Sequence, residues 1–260
     1  MQAGINRLGI PAQLHSSATY RGVPKAPVAV FYGLAQGLRK VLTDYQARGL
    51  KAFYIDLGYW GRRKRTRWDG YHKIVLNGRH PTDYFQRRTH SPDRFRELGV
   101  KIEPWRKSGR HIIIAGMSAK AAAAEGFQAN QWERSAIAKL RKITDRPLIY
   151  RPKPNWEGAT PLVGSTFQKD VELEDALRNC YAVVTHHSNV GVDALMAGVP
   201  VFSTEGVASV LGRTSLKYIE DAVRPDGREQ WAADLAHVQW SMDEMKSGAC
   251  WRYLKDEGLV

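Results

Sequence analysis

The chain has 260 residues, 43% hydrophobic and 25% charged, enough for one large or two small domains with a buried core and with no repeat or low-complexity linker. Lys and Arg number 39 against 26 Asp and Glu, and this +13 balance draws the chain to polyanions: nucleic acid, an anionic membrane surface or phosphorylated small molecules. Two cysteines, Cys180 and Cys250, exclude a disulfide framework and a Cys/His metal motif; with no apolar run near the ~18 residues of a membrane span and no signal-peptide core, a cytoplasmic location is expected.

In chain order, residues 1–26 read as irregular. Val28–Tyr32 is a buried strand, Gly33 follows it, and an amphipathic helix runs from about Ala35 to Ala47. Lys51–Asp56 is the next strand, which makes a parallel βαβ unit. Residues 58–110 hold 15 Lys/Arg against 5 Asp/Glu and only a short strand signal, Lys73–Leu76. Alternation resumes with the strand His111–Ala115, a helix at about Gln128–Ile143 and the strand Pro147–Arg151. A short helix at Leu173–Asn179, the strand Tyr181–Thr185, the helix Val190–Ala197 and the strand Val199–Ser203 follow. The remainder reads as helical, with Trp231, Leu235, Val238 and Trp240 on one helix. The expected fold class is α/β, with two Rossmann-like halves facing a cleft: residues 1–110 with a basic insert, and residues 111–260 with C-terminal helices.

Ligands of open α/β sheets bind beyond the carboxyl ends of the strands. That directs attention to Gly33, Asp56–Trp60, Gly116–Lys120, Arg151–Lys153 and Thr185–Asn189. In the last stretch Thr185, His186, His187, Ser188 and Asn189 stand between a core strand and a helix. Ser188 or Asn189 suits the N-cap, Gly191 permits close approach to the backbone, and Asp193 lies one turn in, within reach of a ribose hydroxyl. Tyr150-Arg-Pro-Lys-Pro154 holds Arg151 and Lys153 forward on a proline-stiffened turn, a cationic pair suited to a diphosphate. Gly116 and Ser118 offer a weaker phosphate contact, since their spacing fits neither a P-loop nor a dinucleotide fingerprint. Each also has a plain alternative: a capped helix, a solvated loop, a packing glycine.

The order of Arg151-Pro-Lys-Pro154, Gly164-Ser-Thr-Phe167 and Leu173–Phe202 resembles the donor-binding half of GT-B glycosyltransferases over residues 111–205. The resemblance implies a nucleotide-sugar donor held at the strand–turn–helix, with Asp193 at the acidic ribose-binding position. Lys153 stands where some bacterial capsule and sialic-acid transferases carry His, and one serine, Ser188, stands where they carry two. UDP-sugars are favoured as donor and CMP-sugars stay open; no cofactor is required. Tyr54–Arg62 and Asp69–Pro81 are similar to a segment of phage and bacterial glycosyltransferase-like proteins.

An inverting transferase needs a base near the acceptor hydroxyl. Asp56, at a strand end, is the first candidate, then Asp69 and His72. No Asp-x-Asp motif marks a strand end, so no essential metal is expected, and His186-His187 reads as phosphate or sugar contacts. The run Arg62, Arg63, Lys64, Arg65, Arg67, with Trp60, Trp68 and Tyr71 at its edges, suits phosphate contact and base stacking. It points to double-stranded DNA with hydroxymethylated pyrimidines as acceptor, as for the phage DNA glucosyltransferases, and so to a bacteriophage protein in the host cytoplasm. An anionic glycan is the alternative acceptor. A non-catalytic nucleic-acid-binding protein and a sugar-nucleotide epimerase are the competing classes.

Overall fold

A computed structural model describes residues 1–34, 37–61, 69–82 and 89–260. The chain divides into two compact units, Met1–Val100 with Gln230–Val260, and Lys101–Glu229. The expectation placed the C-terminal helices with the second half. They belong to the first unit because Trp240, Met245, Trp251 and Leu254 complete its core.

The first unit opens with a helix α1 (Gln2–Arg7) where the sequence reads as irregular. Its four-stranded sheet has the order β1 (Val28–Tyr32), β2 (Lys51–Leu57), β3 (His72–Leu76) and β9 (Gln239–Trp240). The pair β1–β2 is parallel, joined through helix α2 (Leu38–Ala47), whereas β3 and β9 run antiparallel to their neighbours, and helix α3 (Asp93–Glu97) follows β3 in the chain. Successive side chains of β2 point to opposite faces, and both faces are covered. Phe53 and Ile55 pack with Ile5, Met245, Trp251 and Leu254. Ala52 and Tyr54 pack with Val41, Leu42 and Tyr45 of α2. Trp240 follows helix α8 (Arg228–Ala236) as part of β9, not on the helix expected there. The chain then closes with α9 (Met242–Ser247) and α10 (Ala249–Asp256).

Within this unit His237 stacks on His90 at 4.4 Å between ring centroids, and His90 Nδ1 lies 3.0 Å from Asp234 Oδ1. Burial pushes the His237 imidazole down to about 4, helped by charge on His90 and Arg94 and opposed by the Ser91 backbone and Asp234. A depressed histidine means that the unfolded chain takes up a proton the folded ring refuses. Stability is therefore full above the ordinary value of 6.5 and is lost as pH falls from there through about 4. His237 is half-buried, so the loss should be about 2 kcal/mol. His237→Phe should flatten this acid limb when urea midpoints at pH 7 and pH 4.5 are compared by circular dichroism. An unchanged limb would assign the acid sensitivity to other groups.

The second unit is a five-stranded parallel sheet in the order β6 (Thr166–Phe167), β5 (Leu148–Arg151), β4 (His111–Ala115), β7 (Cys180–Thr185) and β8 (Val201–Ser203). The chain starts in the middle, steps outward through β5 and β6, then returns to the other side of β4. That is the Rossmann order, and its switch point lies between β4 and β7. Helices α4 (Ala119–Ala124) and α5 (Gln131–Leu140) follow β4, α6 (Leu173–Leu177) precedes β7, and α7 (Val190–Met196) links β7 to β8. Ile112, Ile114, Ala182 and Val184 meet Ile137 and Leu140 in the core. Continuous apolar strands are what a sheet covered on both faces demands. Cys180 is wholly buried there, and burial pushes its thiol up to about 12. The fold class is α/β, with a βαβ unit in each Rossmann-like half. Among the described residues no helix is long and apolar enough to cross a membrane.

Candidate functional site

The switch point of the second unit is tied by one hydroxyl. Thr185 Oγ1 donates to the Ala115 carbonyl at 3.1 Å and accepts from the Ser188 N–H at 3.1 Å. The ends of β4 and β7 and the turn after β7 are thus fixed together. The end of β8 and the residues after it clamp the same turn: the Glu205 N–H and Ser203 Oγ both donate to the His186 carbonyl, at 2.7 and 3.3 Å. The N–H groups of Val190 to Asp193 are used within the turn, by Ser188 Oγ and by the Ser188 and Asn189 carbonyls. Helix α7 spans seven residues, Asn189 takes its N-cap position, and Asp193 is half-buried on it.

Two glycines expected near a ligand are set by packing. A Cβ on Gly116 would stand 2.7 Å from Tyr150 Cε2, and one on Gly191 would stand 2.8 Å from Ala208 Cβ. Ser118 caps α4, accepting from the Ala121 N–H at 3.3 Å. Arg151 is buried and donates to the Val171 carbonyl, and its burial pushes the guanidinium down from its ordinary value. Lys153 is exposed.

Beside Thr185 opens a cavity of about 600 Å³, within the range of ligand sites. Trp132, Thr204 and three lysines, Lys139, Lys142 and Lys217, line it with Thr185. Of the expected donor residues, Thr185 alone is on its wall. The ring of Trp132 also stands edge-on to His186, at 5.8 Å between centroids.

Two acidic residues that sequence reasoning missed lie here. Glu133 is fully buried, its Oε1 accepts the Met117 N–H at 2.6 Å, and burial pushes its carboxyl up. Glu125 lies 3.5 Å from His187 Nδ1, and His187 Nδ1 is 2.9 Å from His186 Nδ1. One ligand atom from each of Glu125, His186 and His187 falls within 4.8 Å of the others, a set able to hold a metal ion. The only local signal for Glu125 is a carboxylate ending an alanine-rich helix.

In the first unit, Asp56 is next to last in β2, paired with Lys73 of β3. Its Oδ2 accepts from the Tyr54 hydroxyl and its Oδ1 from the Leu57 N–H at 2.8 Å. Lys73 Nζ donates to the Arg79 carbonyl at 3.0 Å and lies 5.6 and 5.8 Å from the ring centroids of Tyr54 and Tyr59. Burial pushes this ammonium down from its ordinary value, and the charge of Asp56 pulls it back. His72 is buried in the sheet, edge-on to Tyr32, and Asp69 is exposed. Gly33 has φ +73° and continues the β1–β2 ladder through its N–H to the Ile55 carbonyl.

Trp60 was expected to stack on a base. Its ring is buried against Phe95 and Trp231, so the core takes that surface. Tyr71 is half-buried. Arg62, Arg63, Lys64, Arg65, Arg67 and Trp68 lie outside the described residues.

No protein-family model and no curated protein sequence matches the chain. Among solved structures it is similar to two described as Thermosulfurimonas dismutans KpsC. The β-Kdo 2,4 transferase is 11% identical, with 79% of this chain and 78% of that chain covered, at TM-score 0.49. The β-Kdo 2,7 transferase is 12% identical, with 88% and 85% covered, also at 0.49. The glycosyltransferase SnogD from Streptomyces nogalater is 16% identical, with 86% and 62% covered, at 0.30.

Proposed function

We propose that the chain is a glycosyltransferase that binds a nucleotide sugar in its second unit and transfers the sugar to a hydroxyl of a polyanionic acceptor. The observation that carries this reading is the cavity beside Thr185, lined by α5, the ends of β7 and β8 and residues 214–217. Trp132 offers an aromatic surface for the nucleoside, and Thr185 and Thr204 offer hydroxyls. Lys139, Lys142 and Lys217 supply the positive charge that a leaving diphosphate needs as its bond to the anomeric carbon breaks. The acceptor oxygen forms the new bond to that carbon and gives its proton to a base, for which Asp56 is the candidate. A UDP-sugar is the favoured donor and a CMP-sugar the alternative.

The acceptor follows from charge. Residues 58–110 carry 15 Lys/Arg against 5 Asp/Glu, and the densest run is the one between Trp60 and Tyr71. Duplex DNA bearing 5-hydroxymethylpyrimidines is the acceptor we favour, and an anionic glycan is the second arm of the test. Purified protein would be incubated with UDP- and CMP-sugars and each acceptor, and the products weighed by mass spectrometry. A hexose gain on the modified nucleoside would establish the DNA reading, and a gain on the glycan would replace it. DNA binding without any donor turnover would overturn the enzyme and leave a binding protein.

The lysines give a separate prediction. Lys139→Ala with Lys217→Ala should weaken donor binding about tenfold in calorimetry, and more steeply at low salt. If Asp193→Ala weakens binding and the lysine pair does not, the nucleotide lies over α7, as the sequence resemblance implies.

A further inference from the structure

We propose that Glu125, His186 and His187 form a three-ligand site for one first-row divalent cation, with Zn²⁺ preferred. The argument begins with two adjacent imidazoles whose Nδ1 atoms meet at 2.9 Å while their planes stand at 90°. A third donor, Glu125 Oε1, lies 3.5 Å from His187 Nδ1, and all three ligand atoms fall within 4.8 Å of one another. Metal–nitrogen and metal–oxygen bonds of about 2.0–2.2 Å place neighbouring ligand atoms about 2.9–3.5 Å apart as the ligand–metal–ligand angle opens from a right angle to the tetrahedral value. Two of the three donor pairs fall in that interval, and the third lies within 4.8 Å.

The donors are also held in place. His186 is 4% exposed, with its ring edge-on to Phe127 at 5.5 Å and to Trp132 at 5.8 Å. Its backbone carbonyl is fixed by Glu205 and Ser203. The side chain of Glu125 is 6% exposed and that of His187 19%, so the cluster is shielded yet open on one side.

Ligand chemistry selects the ion. Two imidazoles and a carboxylate suit Zn²⁺, Co²⁺, Fe²⁺ or Mn²⁺, whereas Mg²⁺ and Ca²⁺ favour an all-oxygen shell. Three protein donors are the number found where a zinc ion keeps a position open for water or a ligand. The absence of an Asp-x-Asp motif does not bear on this site, because its ligands come from a helix end and a distant strand end.

The test needs no sugar donor, so its failure and that of the transferase reading are distinguishable. The chelator-stripped protein would be titrated with Zn²⁺ by calorimetry and with Co²⁺ by visible absorption. One ion per chain is expected, with Co²⁺ d–d bands of a low-coordinate N/O site and competition by Zn²⁺. Glu125→Gln and His187→Gln should each weaken Zn²⁺ binding at least tenfold, with the fold checked by near-ultraviolet circular dichroism. No uptake by the wild-type chain would overturn the proposal, as would uptake that both folded variants retain. In either case the two rings share a plain hydrogen bond. Should one variant fail to fold, the other together with the wild-type Co²⁺ spectrum decides.

Discussion

Asp56→Asn is expected to lower the sugar-transfer rate by about 10²–10⁴-fold, the usual contribution of a general base, while leaving donor affinity and melting temperature nearly unchanged. Asparagine matches aspartate in size, and its carbonyl oxygen can still accept the Leu57 N–H that holds Oδ1 at 2.8 Å. What it loses is the anion that takes a proton. Around it, the Tyr54 hydroxyl donates to Oδ2, and Lys73 stands on the neighbouring strand at the paired register position. A rate within threefold of wild type would remove Asp56 from the mechanism. A matching fall in donor affinity or melting temperature would make it a structural residue instead.

Gly198→Ala should cost about 4 kcal/mol, enough to lower the melting temperature by about 10 °C. Gly198 has φ +72°, just past the end of α7, and a Cβ there would stand 2.0 Å from the Pro104 carbonyl oxygen. That oxygen belongs to backbone laced to the same helix end: the Glu103 N–H donates to Met196 O and the Arg106 N–H to Gly198 O, each at 2.8 Å. No flexible side chain is available to give way. Gly227→Ala is the internal control. It has φ +88° but, among the described residues, nothing within 4 Å of its would-be Cβ, so it should show backbone strain alone, about 1 kcal/mol. Equal melting temperatures for the two variants would refute the steric account.

The second unit was legible because its strands are short apolar runs between turn residues. His111–Ala115, Leu148–Arg151 and Cys180–Thr185 stand where the sequence reading puts strands, within a residue at their ends. The polar turn at 185–188 could be found for the same reason, as hydrogen-bonding side chains placed where a core strand stops. Elements that depend on partners far along the chain escaped. Strand β9 has two residues, and the helical spacing of Trp231, Leu235 and Val238 hides it. Its Gln239 accepts the N–H groups of Tyr59 and Trp60, 180 and 179 positions away, a contact with no local trace. Trp60 read as a stacking surface because it borders a basic run, yet Phe95 and Trp231 cover it. Glu125 gained meaning only when folding set it beside His187.

The first unit is assembled from chain on both sides of the second. A ribosome would release residues 1–100 well before residues 230–260, which carry β9, α9 and α10. Until then the β2 face bearing Phe53 and Ile55 would lack Trp240, Met245, Trp251 and Leu254. At about 5–20 residues per second, the intervening stretch delays completion by on the order of ten seconds. The contiguous stretch Lys101–Glu229 needs no such wait, so it can finish folding first. During translation the earliest part of the chain is therefore the last to close, and its half-built sheet is the surface for which chaperones and aggregation compete.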